Sequence, residues 1–230
     1  MNYLEDNKGN TPTQIAKGGL TNDDTPLLVG TATPGAVIEL YEDGKLLSIG
    51  NVKADNTGKW SFIIPSQYVT DGVHNFEVRT KSQSGNVVKA PFDITFDLTA
   101  PNVGVIESVE DTVSPKLGFI EKEGATNDSS PVLRGKAEAG STVYIYDKFN
   151  DQKVGEVTVD LEGNWTYKVT ELDDGLHRFV ITVTDKAGNV SGESNEFPIV
   201  VDTSVPAALA PNSFDVIDNV GDFKGKITQD

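Results

Sequence analysis

Short runs of alternating apolar and polar residues follow one another along the chain, and Gly, Asn, Asp or Pro separates them about every 8 to 12 positions. No segment of useful length has the period of an amphipathic helix. The pattern therefore predicts an all-β fold in which strands pack as a sandwich. In residues 1–100 it predicts strands near Gln14–Lys17, Leu27–Thr31, Val37–Glu42, Leu46–Lys53, Lys59–Ile64, Val73–Thr80 and Val88–Phe96.

Apolar positions with a period of two identify the buried faces of these strands, because successive side chains of a strand point to opposite sides. Between two strands, Asp43-Gly44 is typical of a two-residue hairpin turn, since this pair tolerates positive φ angles. The residues expected in the core are Trp60, Phe62, Ile64, Phe76, Val78, Phe92, Ile94, Phe96, Trp165, Tyr167 and Val169.

The chain contains an internal repeat. The hexapeptide TNDDTP begins at Thr21, and TNDSSP begins at Thr126, 105 residues further on. A repeat of this length is the size of an independently folding domain. Other residues aligned by the same offset are Gly30 with Gly135, Trp60 with Trp165, Asp97 with Asp202, and Pro101 with Pro206.

The C-terminal tail opens the pattern a third time. The segment VIDNVGDFKGKI from Val216 is similar to VEDTVSPKLGFI from Val109. Seven strands and one buried Trp in each repeat indicate an immunoglobulin-like sandwich. We therefore expect one such domain over residues 1–100, a second over residues 101–206, and the first segment of a third repeat over residues 207–230.

Composition and charge narrow the set of functions. The 230 residues include 35 acidic and 19 basic side chains, which gives a formal net charge of −16. Such a chain repels nucleic acid and anionic lipid and attracts cations. Cysteine is absent, which excludes disulfides, thiolate metal sites and a cysteine nucleophile. No apolar run approaches the roughly 18 residues that cross a bilayer, and the N-terminus has no apolar signal core. We expect no membrane insertion, and we expect the chain to be a fragment of a longer protein.

Several stretches of both units resemble the bacterial Ig-like repeat. In the first unit they are PLLVGTATPGAVIELYEDGKLLSIGNVKADNTGKWSF and DGVHNFEVRTKSQSGN, and in the second they are PVLRGKAEAGSTVYIYD, GNWTYKV, DGLHRFVITVTDKAGNVS and VVDTSVP. The second unit is more similar to the family, because the first has KSQSGN where the family usually has an acidic TDxAGN. The resemblance implies tandem domains of a giant bacterial surface adhesin or biofilm-associated protein, often exported by type I secretion.

The resemblance also implies a mechanical role, because such repeats mostly serve as the stalk of an adhesin. It implies an extracellular location on the bacterial cell surface, neighbouring Ig-like repeats as partners, and calcium that stiffens the junctions between domains. We expect a monomer that supports adhesion or biofilm formation. Two alternatives stay open: a module that recognises a host-surface or biofilm-matrix glycan or protein, and a spacer attached to an enzyme.

Acidic residues near the ends of the units are candidate calcium ligands. If the last strand of one domain lies beside the first loops of the next, carboxylates there repel one another until a cation with oxygen ligands lies between them. The ligands predicted at the complete junction are Asp97, Asp111 and Asp128, with Glu110 or Asn127 in addition. Weaker, partial sites are predicted at Asp6, Asp23 and Asp24, and at Asp202 and Asp218. The alternative is turn chemistry, because Asp and Asn bond their own backbone in turns.

Other polar and aromatic residues favour structural roles. His74 and His177 occupy equivalent positions in the two units, which indicates a role at the rim of the sandwich. Tyr41, Tyr144 and Tyr146 are expected on the outward face, where a glycan or protein could bind. The sequence has no phosphate-cradling glycine loop, nucleophile elbow or HExxH motif, so we expect no enzymatic activity.

Overall fold

The computed structural model describes residues 3–8, 11–50, 52–82 and 84–207, and the backbone of residues 216–217 and 226–227. These residues form β-strands joined by turns, with a short 3-10 helix over Ser66–Tyr68. The prediction of an all-β fold is confirmed.

The first unit consists of two packed sheets. Its strands are β1 (Tyr3–Asp6), β2 (Thr13–Ile15), β3 (Leu20–Thr21), β4 (Leu27–Thr31), β5 (Val37–Glu42), β6 (Lys45–Leu46), β7 (Val52–Lys53), β8 (Lys59–Ile63), β9 (Gly72–Lys81) and β10 (Val87–Phe96). One sheet has the order β2-β1-β4-β8, and the other has the order β3-β10-β9-β5-β6 with β7 also paired to β5. All pairs are antiparallel except β3 with β10, which run parallel.

The second unit repeats this topology. Its strands are β11 (Val105–Asp111), β12 (Gly118–Ile120), β13 (Ala125–Thr126), β14 (Val132–Lys136), β15 (Thr142–Asp147), β16 (Gln152–Thr158), β17 (Asn164–Lys168), β18 (Gly175–Thr184) and β19 (Phe197–Val201). Its sheets have the orders β12-β11-β14-β17 and β13-β19-β18-β15-β16. Again one pair is parallel, β13 with β19.

Each unit has its own hydrophobic core. The two clusters of buried residues share no member, and each contains one tryptophan, Trp60 or Trp165. The predicted core residues are confirmed as buried, apart from Tyr167, which is partly buried and donates a hydrogen bond from its hydroxyl to the Val154 carbonyl. Separate cores mean that each unit gains its own stabilisation from apolar burial.

A glycine makes room for the tryptophan in each unit. Gly30 pairs with Trp60 across β4 and β8, and Gly135 pairs with Trp165 across β14 and β17. A Cβ atom at Gly135 would lie 2.6 Å from the Trp165 ring and 2.0 Å from the Val105 carbonyl oxygen. The repeated Gly and Trp positions are therefore one packing arrangement, since a side chain on the glycine would overlap the indole.

The tail forms a hairpin with the register of the earlier units. Its strands, β20 (Val216–Ile217) and β21 (Lys226–Ile227), pair Val216 with Ile227. In the second unit, the aligned residues Val109 and Ile120 pair in the same way. The backbone pairing thus supports the prediction that a third repeat opens here. The exact domain boundaries at residues 100 and 206 stay predictions.

The strand boundaries differ from the prediction at several places, among them β3, which was not predicted, and β2, which covers Thr13–Ile15 instead of Gln14–Lys17. The pattern does not predict β1, because only Leu4 of its four residues is buried and its polar neighbours conceal the alternation. The predicted strand Leu46–Lys53 is interrupted between β6 and β7, where Gly50 has a φ of 82° that lies outside strand geometry. The predicted Asp43-Gly44 turn is confirmed, since both residues have positive φ angles, 45° and 79°.

Candidate functional site

The candidate carboxylates lie at different places from those expected. Asp97 lies at the junction, where its main-chain oxygen accepts a hydrogen bond of 2.7 Å from the Asn189 amide of the second unit. β11 begins beside Gly104, which lies against Val183 near the end of β18 that leads to Asn189. Seven residues of strand then carry the chain roughly 20 Å away to Asp111. In the described residues, β11 therefore separates Asp97 from Asp111 and Asp128, and the calcium site expected from these three residues stays a prediction.

In the first unit, a polar cluster connects the first hairpin to the hexapeptide. The Thr21 hydroxyl donates to Asp6 Oδ2 at 2.8 Å and accepts from the main-chain N–H of Asp23 at 3.0 Å. The Asp23 carboxylate accepts from the main-chain N–H groups of Asn7 at 2.7 Å and Thr25 at 2.9 Å. Thr21 and Asp23 are each 1% exposed, and the bond between them is buried, whereas the bonds to Asp6, Asn7 and Thr25 are partly buried.

In the second unit, the equivalent residues make the same bonds. The Thr126 hydroxyl donates to Asp111 Oδ2 at 2.6 Å and accepts from the Asp128 N–H at 3.0 Å. Asp128 accepts from the main-chain N–H and the hydroxyl of Thr112, both at 2.7 Å, and from the Ser130 N–H at 2.7 Å. We call this arrangement the Thr-Asp cluster: Asp6, Thr21 and Asp23 in the first unit, and Asp111, Thr126 and Asp128 in the second.

Electrostatics favour the ionised form of Asp128. Burial opposes ionisation and would raise its pKa, but hydrogen bonds from Thr112 and Ser130 and the charge of Lys168 outweigh that effect. The pKa of Asp128 therefore lies below its ordinary value. In each Thr-Asp cluster, donors from the adjacent turns thus satisfy a buried carboxylate, Asp23 or Asp128.

The last strand of each unit ends beside its own Thr-Asp cluster. The Asp97 N–H donates to the Thr21 carbonyl at 3.0 Å, and the Asp202 N–H donates to the Thr126 carbonyl at 2.9 Å. Hydrogen bonds from the hydroxyl and N–H of Ser204 lower the pKa of Asp202. The main chain of Asp97 therefore lies beside the Thr-Asp cluster of the first unit, and the main chain of Asp202 lies beside that of the second.

The other predicted ligands have different partners. Glu110 forms an ion pair of 3.0 Å with Arg134 on the sheet surface. The Asn127 amide donates to the Ser114 carbonyl at 3.0 Å, and Asp24 is exposed. Asp218 lies outside the described residues.

As arranged, the described carboxylates do not fit a calcium shell. Both carboxylate oxygens of Asp6, Asp23, Asp111 and Asp128 already accept hydrogen bonds from the protein. Among the residues that the structure describes, no three Asp, Glu, His or Cys side chains form a group that could hold a metal ion. Calcium prefers six to eight oxygen ligands.

Both histidines pair with a buried or partly buried carboxylate at the sandwich rim. His177 Nδ1 lies 2.7 Å from Asp147 Oδ2, and its Nε2 lies 2.8 Å from the Asp173 carbonyl oxygen. His74 makes the same contacts, 2.5 Å to Glu42 and 2.9 Å to the Thr70 carbonyl oxygen. A carbonyl oxygen only accepts, so Nε2 carries a proton in both rings. The pairs join β9 to β5 and β18 to β15, which fits the structural role expected from the sequence.

The tyrosines are partly covered by cationic side chains. The Arg79 guanidinium lies 3.5 Å from the centre of the Tyr41 ring, and Lys153 Nζ lies 4.5 Å from that of Tyr144. A sugar that stacked on either ring would have to displace the cation.

The fold and the repeated clusters define a class of protein: tandem immunoglobulin-like sandwiches in contact end to end. The sequence model of the family described as "Bacterial Ig-like domain" matches residues 5–98 and again residues 106–203. The chain belongs to this family and contains two tandem copies of its domain. No curated protein matches the sequence significantly. In the described part of the chain, no helix has the length and apolar character needed to cross a membrane.

Several solved structures are similar to this chain. The fibronectin(III)-like modules of Clostridium thermocellum CbhA are 14% identical, and the match covers 91% of this chain and 100% of theirs with a TM-score of 0.47. A Ca²⁺-stabilised adhesin with which an Antarctic bacterium binds ice is 20% identical, with 92% of this chain and 56% of that one covered and a TM-score of 0.43. A tetra-tandem repeat from the extending region of a large adhesion protein is 20% identical, with 82% and 48% covered and a TM-score of 0.30. This chain thus spans about half of these two adhesin structures.

Proposed function

We propose that this chain is an extender segment in the stalk of a bacterial cell-surface adhesin. Two sandwiches of one family follow each other, and the strand pairing of Val216 with Ile227 after them supports the prediction of a third. Such an array gains length by adding units, and each unit needs only its own core to fold. The proposal places the protein outside the cell, where the stalk supports adhesion or biofilm formation.

The observation that carries the proposal is the direct contact between the two units. Asn189 of the second unit bonds to the main chain of Asp97 in the first, and Asn189 is 7% exposed although it lies in a loop. A contact that buries a polar side chain against a neighbouring unit restricts the angle between the units. Restricted angles convert a string of domains into a stiff rod.

The surface charge suits an extended array. A formal charge of −16 makes parallel chains repel, which keeps long stalks apart on a crowded surface and favours a monomer. Neighbouring repeats of the same chain are then the main partners.

Calcium stiffening stays a prediction of the sequence. The described carboxylates are occupied by hydrogen bonds from the protein, so we attribute stiffness first to the direct contact between units. Calcium would need oxygen ligands beyond the Thr-Asp clusters, and it enters no step of the mechanism proposed here.

Small-angle scattering tests the extender role. We expect an elongated particle whose dimensions stay constant from low to high salt, because direct contact rather than charge repulsion holds the units in line. A compact particle, or a broad distribution of lengths that changes with salt, would contradict the proposal. A glycan array run on the same sample separates the alternative of a ligand-binding module, which predicts saturable binding that is lost in the Tyr41→Ala or Tyr144→Ala variant.

A further inference from the structure

The loop at residues 185–189 presents one amide side chain in a fixed direction. The Asp185 carboxylate accepts from the main-chain N–H groups of Gly188 at 2.7 Å and Asn189 at 2.9 Å. It also accepts from the Asn189 side-chain amide at 2.9 Å. The other proton of that amide is directed to the Asp97 carbonyl oxygen at 2.7 Å. Asp185 thus orients the group that contacts the preceding unit.

This loop contacts the second residue of the hexapeptide in the preceding unit, Asn22. A Cβ atom placed on Gly188 would lie 3.4 Å from the Asn22 side-chain nitrogen, so the backbone of Gly188 packs directly against Asn22. Asn22 is only 8% exposed. Asn22 and the carbonyl group of Asp97 together form the receiving surface, which we call the acceptor face.

The same elements are exposed at the outer ends of the chain. Asn86, which is equivalent to Asn189, is exposed, and no described atom lies within 4 Å of a Cβ placed on Gly85. Asn127, which is equivalent to Asn22, is partly exposed. At the junction, the loop of the second unit thus contacts the acceptor face of the first. The equivalent loop of the first unit and the equivalent acceptor face of the second unit have no such contact among the described residues.

We propose that the acceptor face of the second unit, Asn127 with the Asp202 carbonyl group, binds the Asp-x-x-Gly-Asn loop of a following Ig-like repeat. The inference rests on the proposed extender role and specifies how its units join. The pairing of Val216 with Ile227 supports a further repeat after residue 206, and the segment from Asp202 to Pro206 matches that from Asp97 to Pro101, which leads into the second unit. Every repeat then has a loop at one end and an acceptor face at the other, and the array has a direction.

Loops without the acidic residue should dock less well. In the first unit Ser82 replaces Asp185, and the Asn86 amide donates to Ser84 at 3.2 Å instead of to an aspartate. The amide of that loop is not held by a carboxylate. The presence of Asp at the first loop position therefore determines how firmly a repeat binds its predecessor.

Residual dipolar couplings of the full chain test the existing contact. We expect one alignment tensor to fit both units of the parent, and two different tensors to be needed for Asn189→Ala and for Asn22→Arg. The matched controls are Asn86→Ala and Asn127→Arg, which alter the free ends and should leave the single tensor. The proposal would be overturned if a single tensor still fitted both units of Asn189→Ala and Asn22→Arg. It would also be overturned if the control variants needed two tensors.

A longer chain tests the free acceptor face. Fusing a second copy of residues 102–206 after Pro206 supplies the proposed loop, and we expect the added unit to share the alignment tensor of its neighbour. In this chain Asn127→Arg should uncouple the added unit while leaving the first junction intact. An added unit that aligns independently in the unsubstituted fusion would overturn the proposal. Glycan binding by a chain with intact docking would instead contradict the extender role alone, so the two failures are distinguishable.

Discussion

Replacing Asp128 with alanine removes the main acceptor of the Thr-Asp cluster in the second unit. The carboxylate is 2% exposed and accepts three hydrogen bonds of 2.7 Å, two from Thr112 and one from Ser130. Hydrogen bonds to a charged group contribute about 1.5 to 3 kcal/mol each, and they are not additive. The substitution also leaves two main-chain N–H groups without their acceptor. We expect a loss of about 3 kcal/mol in the free energy of unfolding of this unit.

The two tryptophans make the loss measurable unit by unit. Each core contains one, so Trp60→Phe leaves Trp165 as the reporter of the second unit. A loss of about 3 kcal/mol in a domain of this size lowers Tm by roughly 12 to 24 °C. In this background, Asp128→Ala should shift the fluorescence transition by that amount.

Two control variants show whether the cluster is responsible. Asp23→Ala removes the equivalent carboxylate from the first unit, so it should leave the Trp165 transition nearly unchanged. Asp24→Ala removes an exposed acidic residue next to Asp23 and should also leave the Trp165 transition unchanged. A shift below about 4 °C for Asp128→Ala would correspond to less than 1 kcal/mol and would refute the reasoning that hydrogen bonds to this buried carboxylate stabilise the unit.

Three further results are expected. The pKa of Asp128 is lowered in the folded state. Its contribution to the free energy of unfolding is therefore present above an unfolded pKa of about 4 and is lost as pH falls through the lower folded pKa. Urea titrations at several pH values should show that Asp128→Asn flattens this dependence on acid. Gly135→Ala should destabilise the second unit by at least about 1 to 3 kcal/mol because its Cβ would overlap Trp165, whereas Gly192→Ala, with its nearest contact at 3.7 Å, should not. If the chain binds calcium, its Tm should rise by several degrees in millimolar calcium but not in magnesium or chelator. Equal Tm values in all three solutions would contradict calcium binding.

The fold was predictable because the pattern depends on local alternation. Trp60 and Phe62 lie on one face of their strand, and the burial of both follows from that period. The repeat also predicted that equivalent residues would share a role, as Asp23 and Asp128 do. Strand β1 was less visible, because a four-residue strand with one buried side chain leaves almost no periodic signal.

The grouping of the carboxylates was not predictable from sequence proximity. Asp97 and Asp111 are close along the chain but separated by the length of β11, whereas Asp97 and Thr21 are distant along the chain and hydrogen bonded. Asp97 and Thr21 meet because β3 and β10 pair in parallel. Parallel pairing of two strands leaves no local pattern in the sequence. The loop at residues 185–189 coincides with the TDxAGN segment, which can be found in the sequence. Its partner Asn22 became evident only from the contact in the structure.

That parallel pairing also determines how a unit responds to pulling. The third strand of each unit pairs in parallel with its last strand, through bonds such as Asp97 N–H to the Thr21 carbonyl and Asp202 N–H to the Thr126 carbonyl. Once the first hairpin has detached, tension applied at the two termini draws these parallel neighbours in opposite directions along their length. Their hydrogen bonds are then sheared together instead of being opened one after another like a zip. Because the Thr21 and Thr126 hydroxyls donate to Asp6 and Asp111 on the first strand, the Thr-Asp clusters tie the first hairpin of each unit to this parallel pair.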